Sequence, residues 1–139
     1  MTSKIRGGFV SKVEIKSDER GCVKKIMHQA VSTIEDVYVT TVHRGAIKGW
    51  HGYKTKEIGF TCVKGKIKLV LWNKEDGDFE EHFIGDENPV TIWASPGVFT
   101  AFKGIAEENI IVVIANEEYD DRTVIRISPD NYDWDIKNG

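Results

Sequence analysis

The chain has 139 residues, the length of a single domain, and we expect residues 1–139 to form one. Hydrophobic residues make up 40% of it and charged residues 29%, which is enough apolar material for a buried core. The formal net charge is −3 and the basic residues are interleaved with acidic ones, so the composition argues against a nucleic-acid-binding protein.

The sequence also argues against a membrane or secreted protein. Its longest apolar run, Ile110–Ala115, is far too short to cross a bilayer. The first ten residues carry two basic residues but no apolar stretch, so we expect no signal peptide. Cys22 and Cys62 lie far apart and form no metal-binding pair, which indicates two thiols in a reducing compartment. We therefore expect a cytoplasmic protein with no membrane partner.

Short runs of β-branched and aromatic residues lie between closely spaced turn signals such as Arg44-Gly45, Asp76-Gly77 and Ser95-Pro96-Gly97. The predicted strands are Val37–Val42, Gly59–Val63, Ile67–Trp72, Phe79–Ile84, Val90–Trp93 and Ile110–Ala115. No segment sustains the apolar spacing of a helix, and the best candidate, Ala30–Glu35, is short. Many short strands at this spacing predict an all-β sandwich or barrel.

Two of these strands differ in the faces that we expect them to bury. The run Lys66–Leu71 begins with alternating lysine and apolar residues, so one face should meet water. The run Ile110–Ile114 is apolar at every position, so both of its faces should be covered.

The segment Val37–Lys54 carries the most informative pattern. Its part Gly45-Ala-Ile-Lys-Gly-Trp-His51 resembles the glycine turn and Arg-Gly-x-His of the dTDP-4-dehydrorhamnose 3,5-epimerase family. Further segments resemble that family in the same order, namely Asp18–Gly21, Val63–Lys68, Ser95–Phe102 and Val124–Trp134. The hairpin is also similar to the Arg-Gly-Gly-His-Ala-His-Lys of nucleotide-sugar 3,4-ketoisomerases, with Tyr53 in place of the second histidine. Both resemblances imply a double-stranded β-helix (cupin-type jelly-roll) barrel and a homodimer.

Both families act on nucleotide-linked sugars that bear a ketone. The ketone acidifies the hydrogens on its neighbouring carbons, so the reaction needs a base near neutrality, an acid and a polar group for the enolate oxygen. The resemblance implies that His51 is the base. Neither reaction needs a metal or an organic cofactor, and the ligand set of metal-binding cupins cannot be assembled around His51. We therefore expect no metal and no cofactor.

The resemblance also implies the other members of the site. Tyr53 lies two residues after His51, so a strand would place both on one face and make Tyr53 a candidate acid. Asp130 stands next to the position of the orienting aspartate of the epimerases, which here is Ser128 or Pro129. The candidate substrate-binding residues are Arg20 in the early turn, Tyr38 on the preceding strand, Lys48 in the family's arginine position, Lys56 close to its lysine, and Thr100 where its second histidine stands.

The resemblance thus implies an epimerase or isomerase of a nucleotide-linked 4-keto-6-deoxy sugar, acting in surface polysaccharide biosynthesis. The catalytic tyrosine of the epimerases falls within Ile110–Ile114 and has no counterpart there. Two alternatives stay open. One is a 3,4-ketoisomerase in which Tyr53 takes the role of the second histidine, and the other is a sugar-nucleotide-binding cupin without catalytic activity.

Overall fold

The computed structural model describes residues 5–27 and 33–135, and within them the chain is built almost wholly from strands. In chain order the strands are β1 Gly8–Lys12, β2 Glu14–Asp18, β3 Gly21–Lys25, β4 Asp36–Thr41, β5 Ile47–Gly52, β6 Ile58–Lys64, β7 Lys66–Asn73, β8 Asp78–Gly85, β9 Val90–Ala94, β10 Val98–Gly104, β11 Ile110–Ala115 and β12 Ile125–Arg126. Two single-turn 3₁₀ helices, Asp121–Thr123 and Pro129–Asn131, lie on either side of β12. None of the described segments is a helix long and apolar enough to span a membrane.

The six predicted strands are all present, with each end within one residue of its predicted position. The helix candidate Ala30–Glu35 falls partly outside the described residues, and its described part, residues 33–35, is not helical. The prediction of an all-β chain is therefore confirmed.

The strands form two antiparallel five-stranded sheets and one separate hairpin. The first sheet has the order β1-β9-β6-β11-β4, the second β12-β5-β10-β7-β8, and β2 pairs only with β3. From β4 onwards the chain passes from one sheet to the other with each successive strand, except at the hairpin β7–β8. This alternation between two facing sheets is the arrangement of a double-stranded β-helix, as the sequence predicted.

The main core lies between the inner faces of the two sheets. Alternate residues of a strand face opposite sides, so each strand contributes every second side chain to this core. Its fully buried members include Ile67, Leu69 and Leu71 on β7 and Ile111 on β11. No residue of β11 is exposed, which confirms that this apolar strand is covered on both faces.

The outer face of the second sheet is covered by the C-terminal segment, residues 127–135. Trp134 of this segment packs on Trp50 with the ring centroids 5.7 Å apart. The Trp50 indole donates a hydrogen bond to Asn131 Oδ1 at 2.7 Å, and the Trp134 indole donates to the Pro129 carbonyl at 3.0 Å. Aromatic pairs with satisfied N–H groups are stable when buried.

This cover corrects the expectation that one face of β7 meets water. Lys68 points outward from the sheet but is only 2% exposed, because the C-terminal segment lies over it. Its ammonium group lies 2.7 Å from the Glu81 carboxylate on β8. The alternation in the sequence did indicate two different faces, but it did not show that a distant segment covers the second one.

Candidate active site

A cavity of about 430 Å³ opens between the two sheets at the end that carries His51. Its polar lining comes from Tyr38, Thr40, Lys48, His51, Tyr53, Thr100 and Tyr119. Its apolar lining includes Phe60, Phe102 and Val113. A concave, partly apolar cavity with a few convergent polar groups is the usual form of a small-molecule site.

His51 lies on β5, which has a neighbouring strand on each side in the second sheet. Its register partner is Thr100 on β10 and, on the opposite side, Arg126 on β12. Trp50 faces the outer cluster, so His51 faces the cavity. Burial lowers the pKa of His51 below its ordinary value of 6.5, and the positive charges of Arg126 and Lys48 lower it further. The imidazole is therefore neutral near pH 7 and able to accept a proton.

The glycines around His51 allow β5 to lie unusually close to β10. Gly49 has a φ of +126°, and a Cβ atom there would lie 2.5 Å from the Ala101 Cβ and 2.6 Å from the Thr100 carbonyl oxygen. A Cβ atom on Gly52 would lie 2.5 Å from the Phe99 ring. Only glycine fits such approaches, which explains the Gly-Trp-His-Gly pattern.

Two tyrosines, Tyr38 and Tyr53, line the same cavity as His51. Burial raises the pKa of Tyr38 to about 12, and it also raises the pKa of Tyr53. Both hydroxyls therefore stay protonated at neutral pH and can donate a hydrogen bond or a proton. Tyr38 and Tyr53 were both predicted from the sequence, and their roles in substrate binding and acid catalysis stay predictions.

The two predicted lysines have different surroundings. Lys48 lines the cavity, and its ammonium group donates to the Thr40 hydroxyl at 3.0 Å. Lys56 is only 3% exposed and does not line the cavity. Its ammonium group lies 4.4 Å from the centre of the Tyr53 ring and 5.6 Å from that of Tyr119. The structure thus places Lys56 behind the tyrosines, where it supports their rings by cation–π contact.

Arg20 and Asp130 do not reach the cavity. The Arg20 guanidinium, at the β2–β3 turn, pairs with Asp18 at 2.7 Å and lines a separate shallow depression. Asp130 is exposed, and its backbone N–H donates to Ser128 Oγ at 3.3 Å. Over residues 5–27 and 33–135, no side-chain hydrogen bond joins Asp130 or Ser128 to the His51 ring. The orienting role that the sequence predicted for Asp130 has no counterpart in this geometry.

Two residues of the site were not singled out from the sequence. Tyr119 lines the cavity, and its hydroxyl donates to Asp121 Oδ1 at 2.9 Å. The Arg126 guanidinium donates to the same Asp121 oxygen at 2.6 Å and to the Tyr119 hydroxyl at 3.2 Å. Arg126 stands in the C-terminal segment that carried the family resemblance. Its pairing with His51 joins residues about 75 positions apart, so no local sequence pattern indicates that the two residues are neighbours.

The described part of the chain offers no metal centre of three or more His, Cys, Asp or Glu side chains. Cys22 is an exposed free thiol and Cys62 a buried one. Burial raises the pKa of Cys62 to about 11, so this thiol is protonated and unreactive at neutral pH.

Solved structures of sugar-modifying enzymes share this fold. A dTDP sugar isomerase from Desulfovibrio desulfuricans G20 is 17% identical, with a TM-score of 0.85 over 91% of this chain and 87% of that chain. A dTDP-4-dehydrorhamnose 3,5-epimerase from Sulfolobus tokodaii is 20% identical, with a TM-score of 0.86 over 97% and 85%. QdtA, a sugar 3,4-ketoisomerase from Thermoanaerobacterium thermosaccharolyticum in complex with TDP, is 22% identical, with a TM-score of 0.77 over 91% and 92%.

The sequence itself matches a curated relative and a family. TDP-4-oxo-6-deoxy-alpha-D-glucose-3,4-oxoisomerase from Aneurinibacillus thermoaerophilus is 24% identical over 79 residues, which are 57% of this chain and about half (55%) of the relative. Residues 9–133 match the family described as "FdtA: WxcM-like, C-terminal". This range includes every residue that lines the cavity. The chain therefore belongs to the FdtA, WxcM-like C-terminal family.

Proposed function

We propose that this protein is a 3,4-ketoisomerase of a TDP-linked 4-keto-6-deoxy sugar, with His51 as the base. The observation that carries the proposal is a neutral, half-buried histidine facing a cavity that also holds protonated tyrosine hydroxyls. The family match and the curated oxoisomerase support the same reaction. A base whose pKa lies close to the working pH is the most efficient one for removing a carbon-bound proton next to a ketone.

The reaction needs one base and one hydroxyl donor. Neutral His51 takes the proton from C3, the C3–H electron pair forms the C3=C4 bond, and the C4 oxygen takes a proton from the Tyr53 hydroxyl. In the second step the C3 hydroxyl returns a proton to Tyr53 and becomes the ketone. The C3=C4 electron pair then takes the proton that His51 holds, at C4. His51 and Tyr53 both end in their starting protonation states.

The lining of the cavity favours this transfer over epimerisation. Epimerisation returns a proton to the opposite face of the same carbon, so it needs a donor across the sugar from the base. Ketoisomerisation can return the proton from the same base to the neighbouring carbon. The cavity contains one histidine among the described residues, and the β11 wall contributes the apolar Val113. A single histidine base can serve both carbons in the second route, and the family match and the curated oxoisomerase favour that route.

Positive charge in and beside the cavity suits a nucleoside diphosphate. Lys48 lines the cavity, and Arg126 lies in the adjacent strand position to His51. We propose that Lys48 binds the diphosphate as a point charge and that Thr100 and Tyr38 contact the sugar. Further elements of the proposal are a cytoplasmic location, consistent with two free cysteines, and a role in surface polysaccharide biosynthesis.

We also propose a homodimer formed through the outer face of the first sheet. Its edge strand β4 exposes Val37 and Val39, which are 57% and 64% accessible, and Phe9 on β1 is 42% accessible. An exposed sheet face that carries apolar side chains favours association, and a two-fold dimer is the commonest way to cover such a face.

The test is incubation of the purified protein with TDP-4-keto-6-deoxyglucose in D₂O, followed by ¹H NMR. We expect loss of the C3 proton signal and appearance of the 3-keto sugar. His51→Asn keeps a similar shape and removes the titrating base, and it should lower the exchange rate at least ~10²-fold. Inversion at C3 or C5 with the ketone still at C4 would identify an epimerase. Tight binding of TDP without any exchange in the wild type would identify a non-catalytic binding protein.

A further inference from the structure

Lys56 lies in the linker between β5 and β6, and hydrogen bonds fix this linker on both sides of it. Before Lys56, the Tyr53 carbonyl accepts a hydrogen bond from the Gly97 N–H at 2.8 Å. After it, the Glu57 N–H donates to Asn116 Oδ1 at 2.8 Å, and the Asn116 N–H donates back to the Glu57 carbonyl at 3.2 Å. The backbone around Lys56 is therefore held in place while its side chain is buried.

The Lys56 ammonium group has no carboxylate partner of its own. Across residues 5–27 and 33–135, no hydrogen bond or salt bridge reaches it. The carboxylate of Asp120, which lies within the influence of the Lys56 charge, is engaged by the Arg122 guanidinium at 2.9 Å. A buried charge without a partner is costly, so its remaining contacts must compensate for the lost hydration.

These remaining contacts are the faces of two tyrosine rings. The ammonium nitrogen lies 4.4 Å from the centre of the Tyr53 ring and 5.6 Å from that of Tyr119, and both distances are within the range of a cation–π contact. Tyr53 and Tyr119 line the His51 cavity, whereas Lys56 does not. The lysine therefore acts on the cavity through the rings and not by contact with a molecule inside it.

The proposed reaction makes the charge state of the Tyr53 ring important. Burial raises the pKa of Tyr53, and the neighbouring Tyr119 raises it further, so loss of the hydroxyl proton is costly. The reaction requires this loss, because the hydroxyl gives its proton to the C4 oxygen and stays a phenolate until the C3 hydroxyl returns one. A phenolate spreads negative charge into its ring, so a cation on the ring face stabilises it more than the neutral phenol.

We propose that Lys56 is a positioning residue for the acid step, which holds the Tyr53 ring at the cavity and stabilises the phenolate that forms there. The inference rests on the proposed isomerase function and extends it to a residue outside the cavity. The variants below leave the other titratable groups around Tyr53 in place. These are Tyr38 on β4, His51 on β5, Tyr119 in the segment after β11, and Arg126 on β12.

The first measurement needs no substrate, so it does not depend on whether the protein is an isomerase. The four tyrosines are replaced by 3-fluorotyrosine, which titrates at lower pH, and Tyr53→Phe identifies the ¹⁹F signal of Tyr53. Lys56→Met keeps the apolar stem and removes the charge, so the midpoint of the Tyr53 titration should move to higher pH. Lys56→Gln, which has a polar end, should move it in the same direction.

The matched control for this titration is Lys66→Met. It removes a lysine that lies 5.5 Å from the centre of the Phe83 ring, away from the His51 cavity, and should leave the Tyr53 midpoint unchanged. An unchanged midpoint in Lys56→Met and Lys56→Gln, with the fold preserved, would overturn the proposal.

The second measurement is steady-state kinetics with TDP-4-keto-6-deoxyglucose. Lys56→Met should lower kcat about tenfold, as expected for loss of a buried cation–π contact, and should change KM by less than about twofold. In the Tyr53→Phe background the same change should have little further effect, because the hydroxyl through which Lys56 acts is absent. Lys66→Met should keep the kcat of the wild type.

The kinetic outcomes separate this role from a merely structural one. An equal loss of kcat from Lys56→Met in both backgrounds would show that Lys56 acts by packing, and this would contradict the proposal. A shifted Tyr53 midpoint with unchanged kcat would contradict it as well. A wild type without any exchange would instead refute the isomerase function, and the fluorotyrosine titration distinguishes that failure from this one.

Discussion

Arg126 lies opposite His51 in the β5–β12 ladder, and Asp121 holds its guanidinium group at 2.6 Å. The positive charge beside the imidazole acts with burial to keep the proposed base unprotonated. The pKa of His51 therefore depends on β12, a short strand that follows the other strands of both sheets in the sequence. This relationship leads to the first prediction.

Replacing Arg126 with Gln should raise the pKa of His51, because it removes one of the two cations that disfavour the imidazolium form. The measurement is an NMR titration of the His51 Cε1 proton in the protein without substrate. Lys48→Gln should raise the pKa in the same direction by a smaller amount, since Lys48 contributes less than Arg126. Arg44→Gln, on the exposed side of a turn away from the cavity, serves as the matched control. An unchanged titration in Arg126→Gln would show that the charge of Arg126 does not contribute to the pKa of His51.

The second prediction concerns the pH dependence of the wild-type reaction. His51 must be neutral to take a proton, so the rate should be lost as the pH falls through the pKa of His51. This pKa lies below 6.5, so the acid limb of the kcat/KM profile should have its midpoint below that value. The pKa of Tyr38, about 12, predicts that this tyrosine causes no loss of rate at moderately alkaline pH. An acid limb with its midpoint above 6.5 would contradict the assignment of His51 as the free-enzyme base.

The third prediction separates the two buried tyrosines. Tyr53→Phe keeps the ring on which Lys56 packs and removes only the hydroxyl, so the fold should persist. If Tyr53 protonates the C4 oxygen, this variant should lose about 10²-fold or more in kcat, the low end of an acid catalyst's contribution. Tyr38→Phe should affect KM more than kcat. Steady-state kinetics on both variants decide the matter, and the reverse pattern would assign the acid role to Tyr38.

The fourth prediction concerns Asp130, which the resemblance placed next to the orienting aspartate. Its carboxylate is exposed and outside the cavity, so Asp130→Asn should change kcat/KM by no more than about twofold, as expected for a surface substitution. Ser128→Ala removes the hydroxyl that caps the adjacent turn and is the matched comparison. A loss of a hundredfold in Asp130→Asn would show that the C-terminal segment rearranges to bring this carboxylate to His51 when substrate binds.

The fifth prediction tests the homodimer. Val39→Lys places a charge on the exposed face of the edge strand β4, where burial against a second copy would be costly. We expect the wild type to sediment as a dimer at micromolar concentration and the variant as a monomer with an unchanged circular dichroism spectrum. Glu107→Gln, at an exposed turn away from this sheet face, changes the net charge by the same amount and is the control. A monomeric wild type would rule out the proposed assembly.

The elements of the fold were predictable because their signals are local. The composition of a segment such as Ile110–Ala115 is typical of a strand, and turn residues such as Asp76-Gly77 indicate where strands end. His51, Lys48 and Thr100 were predicted together on the strength of a resemblance, and the structure brings all three to one cavity. Tyr53 followed from the two-residue period of a strand.

The positions of the remaining site residues depend on long-range contacts between strands, which the local sequence pattern does not reveal. Lys56 follows the hairpin closely, but its side chain turns behind Tyr53 and is buried there. Arg20 belongs to the β2–β3 hairpin, which among the described residues pairs with neither five-stranded sheet. Arg126 reaches His51 only because β12 adds to the edge of β5, and Lys68 is buried only because the C-terminal segment crosses its strand. Long-range register decides each of these positions.

The position of β12 near the end of the described chain has a consequence for the order in which the site is assembled during synthesis. The strands up to Ala115 leave the ribosome before Ile125 and Arg126. The nascent barrel can thus bury its apolar interior while His51 still occupies an open edge. For the proposed reaction, the charge environment of His51 is complete only after β12 has docked beside it.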